Sequence, residues 1–566
     1  MGVEEPWRLT QRSIKQTIED CIMMEFLKTY KTRPWPKLEV PPMRRPQLII
    51  LILFAAGLVA AGWIIWFSGY IQVEYFILLG LTIPILFFLK NRFVTIVGLL
   101  CFQVILAFVF IGNSDYALIA VAALIGAIIA FESPIIMYMI LIAAVWYDMT
   151  PFAFTHTARI EFIVGIALLV GWIFREVLRP QQEKSIVHFP EKWIVISFLV
   201  WAAIGFALWC AQPFPYGWYQ LKLIIIGTVF FLITPMLLRS ERDIDLIVFT
   251  WILVGIIASA STVLGPFFGY QPEITGWGAA LGAMGVQKNL SASFMSFSFF
   301  IALAYFYWTK GLFRKLVSSI IMLGILGATL YQQSRSAAVG LLIGFSLFWL
   351  ADAFGGRGKQ QTLRFLAQFF LFVSILSIVL ILIYFVGLGQ MLGSYAELLY
   401  TPTEIGTSEV RKVLWDTAFE MAENEGHPLR GLGVGAFWVL GAEKYELGTL
   451  VGVADSPDEL IQQGINPHNL YIDTFLHYGV IGIALFGLLA IVILSKLWRG
   501  FRGFQSRKYK YLCLGLFCGL IAFYFHCIFD FTVFIIGRFW LYVGLAIAVI
   551  NLGDILRTYQ QNQIEV

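Results

Sequence analysis

Charge is scarce in this chain. Asp, Glu, Lys and Arg make up 13% of the 566 residues, against about 25% in a soluble domain, while hydrophobic residues make up 59% and mean hydropathy is +0.80. Too little polar surface remains to solvate a globule of this size, which excludes an ordinary soluble protein. The net charge of +4 is small, and no basic stripe with interleaved aromatics occurs, which argues against a nucleic-acid partner. The six cysteines show no C-x-x-C pair, and Cys101, Cys513 and Cys518 lie within apolar runs, where cysteine acts as a small hydrophobe. Neither a disulfide framework nor structural zinc is expected. No D-x-D or His/Asp/Glu cluster suggests a metal, and neither G-x-S-x-G nor a P-loop is present; no cofactor is implied. The N-terminus, "MGVEEPWRLT", is acidic and polar, and the first apolar run comes only after Pro46, so it does not read as a signal peptide. No convincing internal repeat or low-complexity tract is found.

What the chain does have is apolar runs long enough to cross a bilayer. They lie near 47–69, 73–90, 93–112, 115–131, 133–147, 159–177, 192–211, 219–238, 244–264, 289–309, 315–331, 335–354, 364–388, 469–496, 509–530 and 532–554. The expected fold class is an all-α polytopic membrane protein with about 14–16 spans, several early ones being short. The organisation reads as a cytoplasmic N-terminal segment (1–45), a transmembrane bundle (46–388), an external loop subdomain (389–468), C-terminal transmembrane helices (469–556) and a short tail (557–566). Ile14, Ile18, Cys21, Ile22 and Leu27 fall near helical period, which predicts a surface helix in the first segment. Basic loops alternate with loops poor in Lys and Arg, and "KLWRGFRGFQSRKYK" (496–510) continues the alternation. The positive-inside rule then puts both termini in the cytoplasm and the long loop outside, in the periplasm.

That loop is too long to be a connector. Within it, "TSEVRKVLWDTAFEMAENEG" predicts an amphipathic helix, with Ser408 as cap and Val410, Val413, Leu414 and Met421 on one face. "GLGVGAF" (431–437) looks faintly like a dinucleotide loop, but no strand precedes it and no clear helix follows, so it reads as a glycine-rich turn.

Four places carry candidate chemistry. In "INPHNLYIDTFLHYGVIG" (465–482), Asn466 predicts an N-cap and Pro467 the first helical position. His468 would then sit in the first turn, where the helix dipole favours a neutral imidazole and an anion nearby. Such a histidine can act as a general base; the bland alternative is an interfacial histidine bonded to the loop. His477 lies on the other side of the helix and reads as a packing residue. Arg335, within "YQQSRSAAVGLLIG", sits in a polar cluster at the outer end of a span, which fits an anion site as well as a snorkelling charge. Arg411 lies on the loop helix, where an exposed ion pair with Glu409 or Asp416 is the default. Asp530 and Arg538 flank the last outer turn and read as an ion pair closing the bundle.

Taken in order, "SRSAAVGLLIG", "EVRKVLWDTAFEMAENEGHPLRGLGVGAF" and "PHNLYIDTFLHYGVIG" resemble the O-antigen ligase and polymerase family of bacterial envelope proteins. "GVQKNLSA" (285–292) and "FDFTVFIIGRFWLYVGL" look like that family's earlier polar stretch and last span, so the resemblance covers roughly residues 220–555. It implies a bundle of the GT-C type in the bacterial inner membrane. The implied activity is inverting, metal-independent glycosyl transfer at the outer face of that membrane. The donor would be a glycan on undecaprenyl pyrophosphate, and the acceptor lipid A core or another glycan. The family's roles fall on Arg335 and Arg411 as pyrophosphate ligands and on His468 as the catalytic base, with Asn289, Asn469, Asp530 and Arg538 as supporting candidates. The long N-terminal extension and the extra early spans depart from the commoner pattern. Polymerase and ligase share this chemistry and differ in acceptor. The competing classes are a small-anion transporter of the bicarbonate type, which should show broken or charged helices near the midplane, and a scaffold in which the three residues are dispensable.

Overall fold

The computed structural model describes residues 123, 126–147, 160–178, 189–209, 214–264, 281–282, 286–331, 334–354, 407–425, 427–445, 467–529 and 537–564. The described elements are overwhelmingly helical. They are α1 (Pro134–Tyr147), α2 (Ile160–Leu178), α3 (Lys192–Trp209), α4 (Phe214–Leu237) and α5 (Glu241–Leu264), then the strands β1 (Leu281–Gly282) and β2 (Val286–Gln287). There follow α6 (Lys288–Trp308), α7 (Leu312–Tyr331), α8 (Arg335–Phe354), α9 (Thr407–Asn424), α10 (Ala436–Glu443), α11 (Leu470–Gly503), α12 (Arg507–His526) and α13 (Gly537–Ile564). The strands pair antiparallel, Leu281 opposite Gln287, just ahead of α6.

Among the described residues eight helices are long and apolar enough to cross a membrane, and Pro134–Trp146 and Lys192–Leu208 are shorter apolar helices. The protein is thus an all-α polytopic membrane protein. The spans read at 47–69, 73–90, 93–112 and 364–388, most of 115–131, and the N-terminal surface helix lie outside the described residues.

The chain divides into two compact units. The first comprises Met1–Met137, Ile166–Gln181 and Lys310–Val317. Within it, Arg175 Nη1 donates to the carbonyls of Phe131 (3.4 Å) and Glu132 (2.8 Å). The second comprises Tyr138–Gly165, Gln182–Thr309 and Ser318–Val566 and holds the candidate site.

The second unit is built around α6 and α12. Small residues let their backbones approach closely, the usual device where lipid is as apolar as the side chains. A Cβ on Gly515 would meet the Phe300 carbonyl at 2.6 Å, and one on Gly344 would meet Cys518 O at 2.7 Å. One on Gly340 would collide with Ala522 O. These contacts make α6 and α8 both antiparallel to α12. Aromatic rings fill the space between α5, α6, α12 and α13: Phe297 stacks on Tyr542 at 3.9 Å and on Phe523 at 5.0 Å, and Trp251 on Phe294 at 4.9 Å. Leu470 N donates to Cys527 O (3.0 Å) and Tyr471 Oη to Tyr524 O (3.1 Å), which fixes the start of α11 beside the end of α12. The N-termini of α6, α8 and α11 therefore lie at one end of the unit, with the C-terminus of α12. The other end carries the basic α11–α12 connection, where Lys508 bridges to Asp245 at 2.6 Å and Tyr511 Oη donates to Asp352 at 2.8 Å.

The close approach of α8 to α12 predicts unequal glycine substitutions. Gly340→Ala forces a methyl onto a backbone carbonyl and is expected to cost about 1–3 kcal/mol. Gly487→Ala, in α11, has nothing within 4 Å of its new methyl and is expected to be neutral or stabilising by about 0.5–1 kcal/mol. Thermal unfolding of both variants in detergent checks the contrast.

Candidate active site

The loop helix α9 forms where its pattern predicts, although Ser408 lies inside it rather than capping it. Leu414, Ala418 and Met421 of its buried face pack with Leu432, Ala436, Phe437, Val439 and Leu440 and with Leu476 of α11. Trp415 Nε1 donates to Pro467 O at 2.8 Å, so α9 is tied directly to the Pro-His-Asn segment. Arg411 is half-buried on α9, one helical turn before Trp415.

The start of α11 differs from the expectation. The N-cap is Asn469, not Asn466, and its extended backbone (φ −154, ψ 111) lets its side chain accept from Tyr471 N and Ile472 N. Pro467 and His468 precede the helix. His468 is half-buried and has φ 48, making it the sole non-glycine residue with positive φ among the described residues. Such backbone strain tends to be held where function requires it. The first N–H groups of α11 all have protein partners: Cys527 O for Leu470, Asn469 Oδ1 for Tyr471 and Ile472, and Asn469 O for Asp473. The expected helix-end anion cradle at His468 is therefore already filled. Asn469, expected in a supporting role, acts as the cap.

A second difference lies nine residues along. Gly479 has φ 66 and ψ −166, so α11 is two helices meeting at a break rather than one continuous span. The segment Pro428–Gly433 lays its backbone into the break. Leu432 N donates to Leu476 O (2.8 Å), Gly433 N to His477 O (3.1 Å), and Val480 N to Pro428 O (2.8 Å). Trp201 Nε1 of α3 takes Tyr478 O at 2.9 Å. A Cβ on Gly431 would stand 2.6 Å from Gly479 N, so the two backbones touch where neither glycine has a side chain. Positive φ at Gly431, Gly433 and Gly435 (73, 90 and 79) shapes the rest of "GLGVGAF", and Gly435 caps α10. The turn does open a helix, contrary to the expectation.

His477 is 2% exposed, as a packing residue should be, but its contacts are polar. Its Nε2 faces Phe437 N at 3.4 Å, and its Nδ1 lies 3.3 Å from Asp473 Oδ1, ion-pair distance without hydrogen-bond geometry. Trp415 and His477 thus anchor the loop subdomain to α11, with Asp473 beside the His477 ring. The pattern pointed to none of them in that role, because each sits in an ordinary helical register.

Of the other candidates, Arg335 is the first residue of α8, and its side chain, like that of Asn289 in the first turn of α6, lies outside the described residues. Asp530 also lies outside them. Arg538 is 3% exposed at the start of α13. Glu161, 4% exposed, places its carboxylate 3.1 Å from where a Cβ on Gly537 would stand; this buried acid at the start of α13 was missed by the sequence reading. The fold brings the backbones of Asn289, Arg335 and His468 to the same end of the unit and sets α9 with Arg411 against it. Among the described residues no group of three His, Cys, Asp or Glu converges as metal ligands.

Residues 318–487 match the O-antigen ligase family. The match begins inside α7 and ends inside α11, so it takes in Arg335, Arg411 and His468 and stops short of Arg538. It covers under a third of the chain. Over that stretch it supports the O-antigen ligase and polymerase resemblance carried by the motifs, and with it a ligase- or polymerase-type function. No curated protein matches the chain.

The break predicts that Gly479→Ala is severe. The new methyl would overlap the Leu429 carbonyl and sit at an unfavourable φ; backbone strain of this kind costs of order 1–3 kcal/mol. Asn469→Ala removes one cap and should cost about 1 kcal/mol. Unfolding midpoints of the two variants in detergent should rank in that order.

Proposed function

We propose that the protein is an inverting, metal-independent glycosyltransferase of the O-antigen ligase type. It would use a glycan on undecaprenyl pyrophosphate at the outer face of the inner membrane. The observation that carries this reading is the Trp415–Pro467 bond, which holds the Arg411 helix against His468 inside the O-antigen ligase match. In the reaction, the acceptor hydroxyl attacks the anomeric carbon from the face opposite the pyrophosphate. The carbon–oxygen bond to pyrophosphate breaks, and His468 takes the hydroxyl proton. Charge grows on the departing pyrophosphate, and Arg335 and Arg411 stabilise it as bidentate guanidiniums. Two arginines fill the charge-stabilising role otherwise given to a metal cation.

The orientation follows from charge. The α11–α12 connection carries Lys496, Arg499, Arg502, Arg507, Lys508 and Lys510, which assigns that end to the cytoplasm and the His468 end to the periplasm. With the even span count read from the sequence, both termini are cytoplasmic. The organisation into segments 1–45, 46–388, 389–468, 469–556 and 557–566 is kept within this reading. From the break at Gly479 to Lys496, α11 is about 25 Å long, close to the hydrocarbon thickness. His468 then stands above the lipid, where a headgroup-linked sugar can reach it.

The broken helix is what a transporter reading would claim. The break, however, lies at the edge of the span. The carbonyls of Leu476, His477 and Tyr478 already accept protein N–H groups rather than facing an ion path. Ligase and polymerase remain two acceptors for one chemistry: lipid A core for the former, a second lipid-linked glycan for the latter.

His468→Ala, with membrane insertion verified, is expected to lower glycan transfer by roughly 10²–10⁴-fold, read as the length and attachment of surface glycan in the native host; unchanged glycan sinks the assignment. Arg335→Lys and Arg411→Lys should each lose activity, because a point charge replaces a fork. Full activity in both would remove the pyrophosphate clamp and favour a scaffold.

A further inference from the structure

At the end of the second unit opposite His468, α11 and α13 part to leave a cavity of ≈ 170 Å³. Lys496 and Arg499 of α11 and Asp554 and Arg557 of α13 form its polar wall, and Phe504 and Ile550 its apolar floor. The space is shaped by two glycines. The Phe504 ring lies 2.9 Å from where a Cβ on Gly500 would stand and closer still to one on Gly553. With no side chain at either position, the ring wedges between the helices and holds them apart beneath the charged groups. Arg557 reaches across α11, its Nη1 lying 3.3 Å from the Cβ position of Gly503.

The charges in the wall do not balance. Lys496 bridges to Glu191, just ahead of α3, a carboxylate only 1% exposed. That leaves Arg499 and Arg557 facing one carboxylate, Asp554. Two guanidiniums over an apolar floor suit an anion that presents several oxygens and carries an apolar body. The wall lies where the apolar part of α11 gives way to its basic end, at the depth of lipid headgroups.

We propose that this cavity binds a phosphate group, with Arg499 and Arg557 as its ligands and Asp554 as the competing intrinsic anion. The phosphate comes from an anionic phospholipid headgroup or from free phosphate. The site is separate from the one at His468, and the inference does not depend on the glycosyltransferase reading.

The test uses the purified full chain in mixed micelles, with bound lipid counted by native mass spectrometry and stability followed by thermal shift. Phosphatidylglycerol should be retained over phosphatidylcholine. Arg499→Gln and Arg557→Gln should each weaken that retention by roughly tenfold, the usual loss of one charge-assisted contact. Asp554→Asn should strengthen it, a sign that generic loss of folding does not produce. Arg502→Gln, an exposed cation outside the cavity, should leave it unchanged. The substituted positions are exposed, so their unfolding midpoints should stay near that of the parent. Stabilisation by inorganic phosphate without lipid preference assigns the site to free phosphate, and lipid preference without a phosphate effect assigns it to the headgroup. Absence of both effects, or equal loss in Arg502→Gln, overturns the proposal.

Discussion

A backbone N–H or C=O at the edge of a bilayer has little water to bond, so a helix can break there only if other protein groups replace its lost hydrogen bonds. At Gly479 that replacement comes from Pro428–Gly433 and Trp201, which take up Leu476 O, His477 O, Tyr478 O and Val480 N. The exchange works both ways. The loop segment has no regular structure of its own at this point, and Leu432 N, Gly433 N, Pro428 O and Leu429 O are in turn satisfied by the broken helix. Neither part would be stable in this form without the other. The left-handed conformations of Gly431 and Gly479, each lying against the other's backbone, let the two chains come this close.

The site depends on this joint. By breaking, α11 separates a membrane helix from a short first helix whose residues face the loop subdomain. Asp473 and His477 lie on that short helix, and the apolar cluster around Leu414 and Phe437 packs on Leu476. The cluster carries α9 into place, and Trp415 then fastens it to Pro467. Small residues do the corresponding work lower down. Gly340, Gly344 and Gly515 let α6, α8 and α12 pack at backbone distance, which brings the starts of three helices to one end. The cationic end is left at the opposite side, so the unit is polarised along its length by sequence placement of Lys and Arg.

Much of this was legible. Continuous apolar runs located α5–α8 and α12 to within about four residues, because a membrane helix must be long and apolar wherever it packs; α4 starts five residues earlier, α11 runs seven residues further, and α13 starts five residues later and runs on to Ile564. The apolar face of α9 was visible in Val413, Leu414 and Met421, and the three family motifs drew attention to Arg335, Arg411 and His468. The details of the His468 segment were not legible. Asn466 and Asn469 are equally good caps by residue type. The choice between them was made by Cys527 O, which receives Leu470 N, and by Trp415, which holds Pro467 outside the helix. Likewise, "HYGVIG" looks like continuous apolar helix, since a glycine inside a span is common in membranes.

Composition and periodicity by themselves determined that this is a helical membrane protein, where most spans lie, which end is basic, and that a long polar loop carries an amphipathic helix. Those properties are local, set by residues within a few turns of each other. Tertiary structure alone decided that α11 breaks at Gly479, that His468 stands before its helix in a strained conformation, and that His477 holds the loop in place. Each of these is set by hydrogen bonds to residues some 40 to 280 positions away, and partners at that separation leave no periodic trace in the chain.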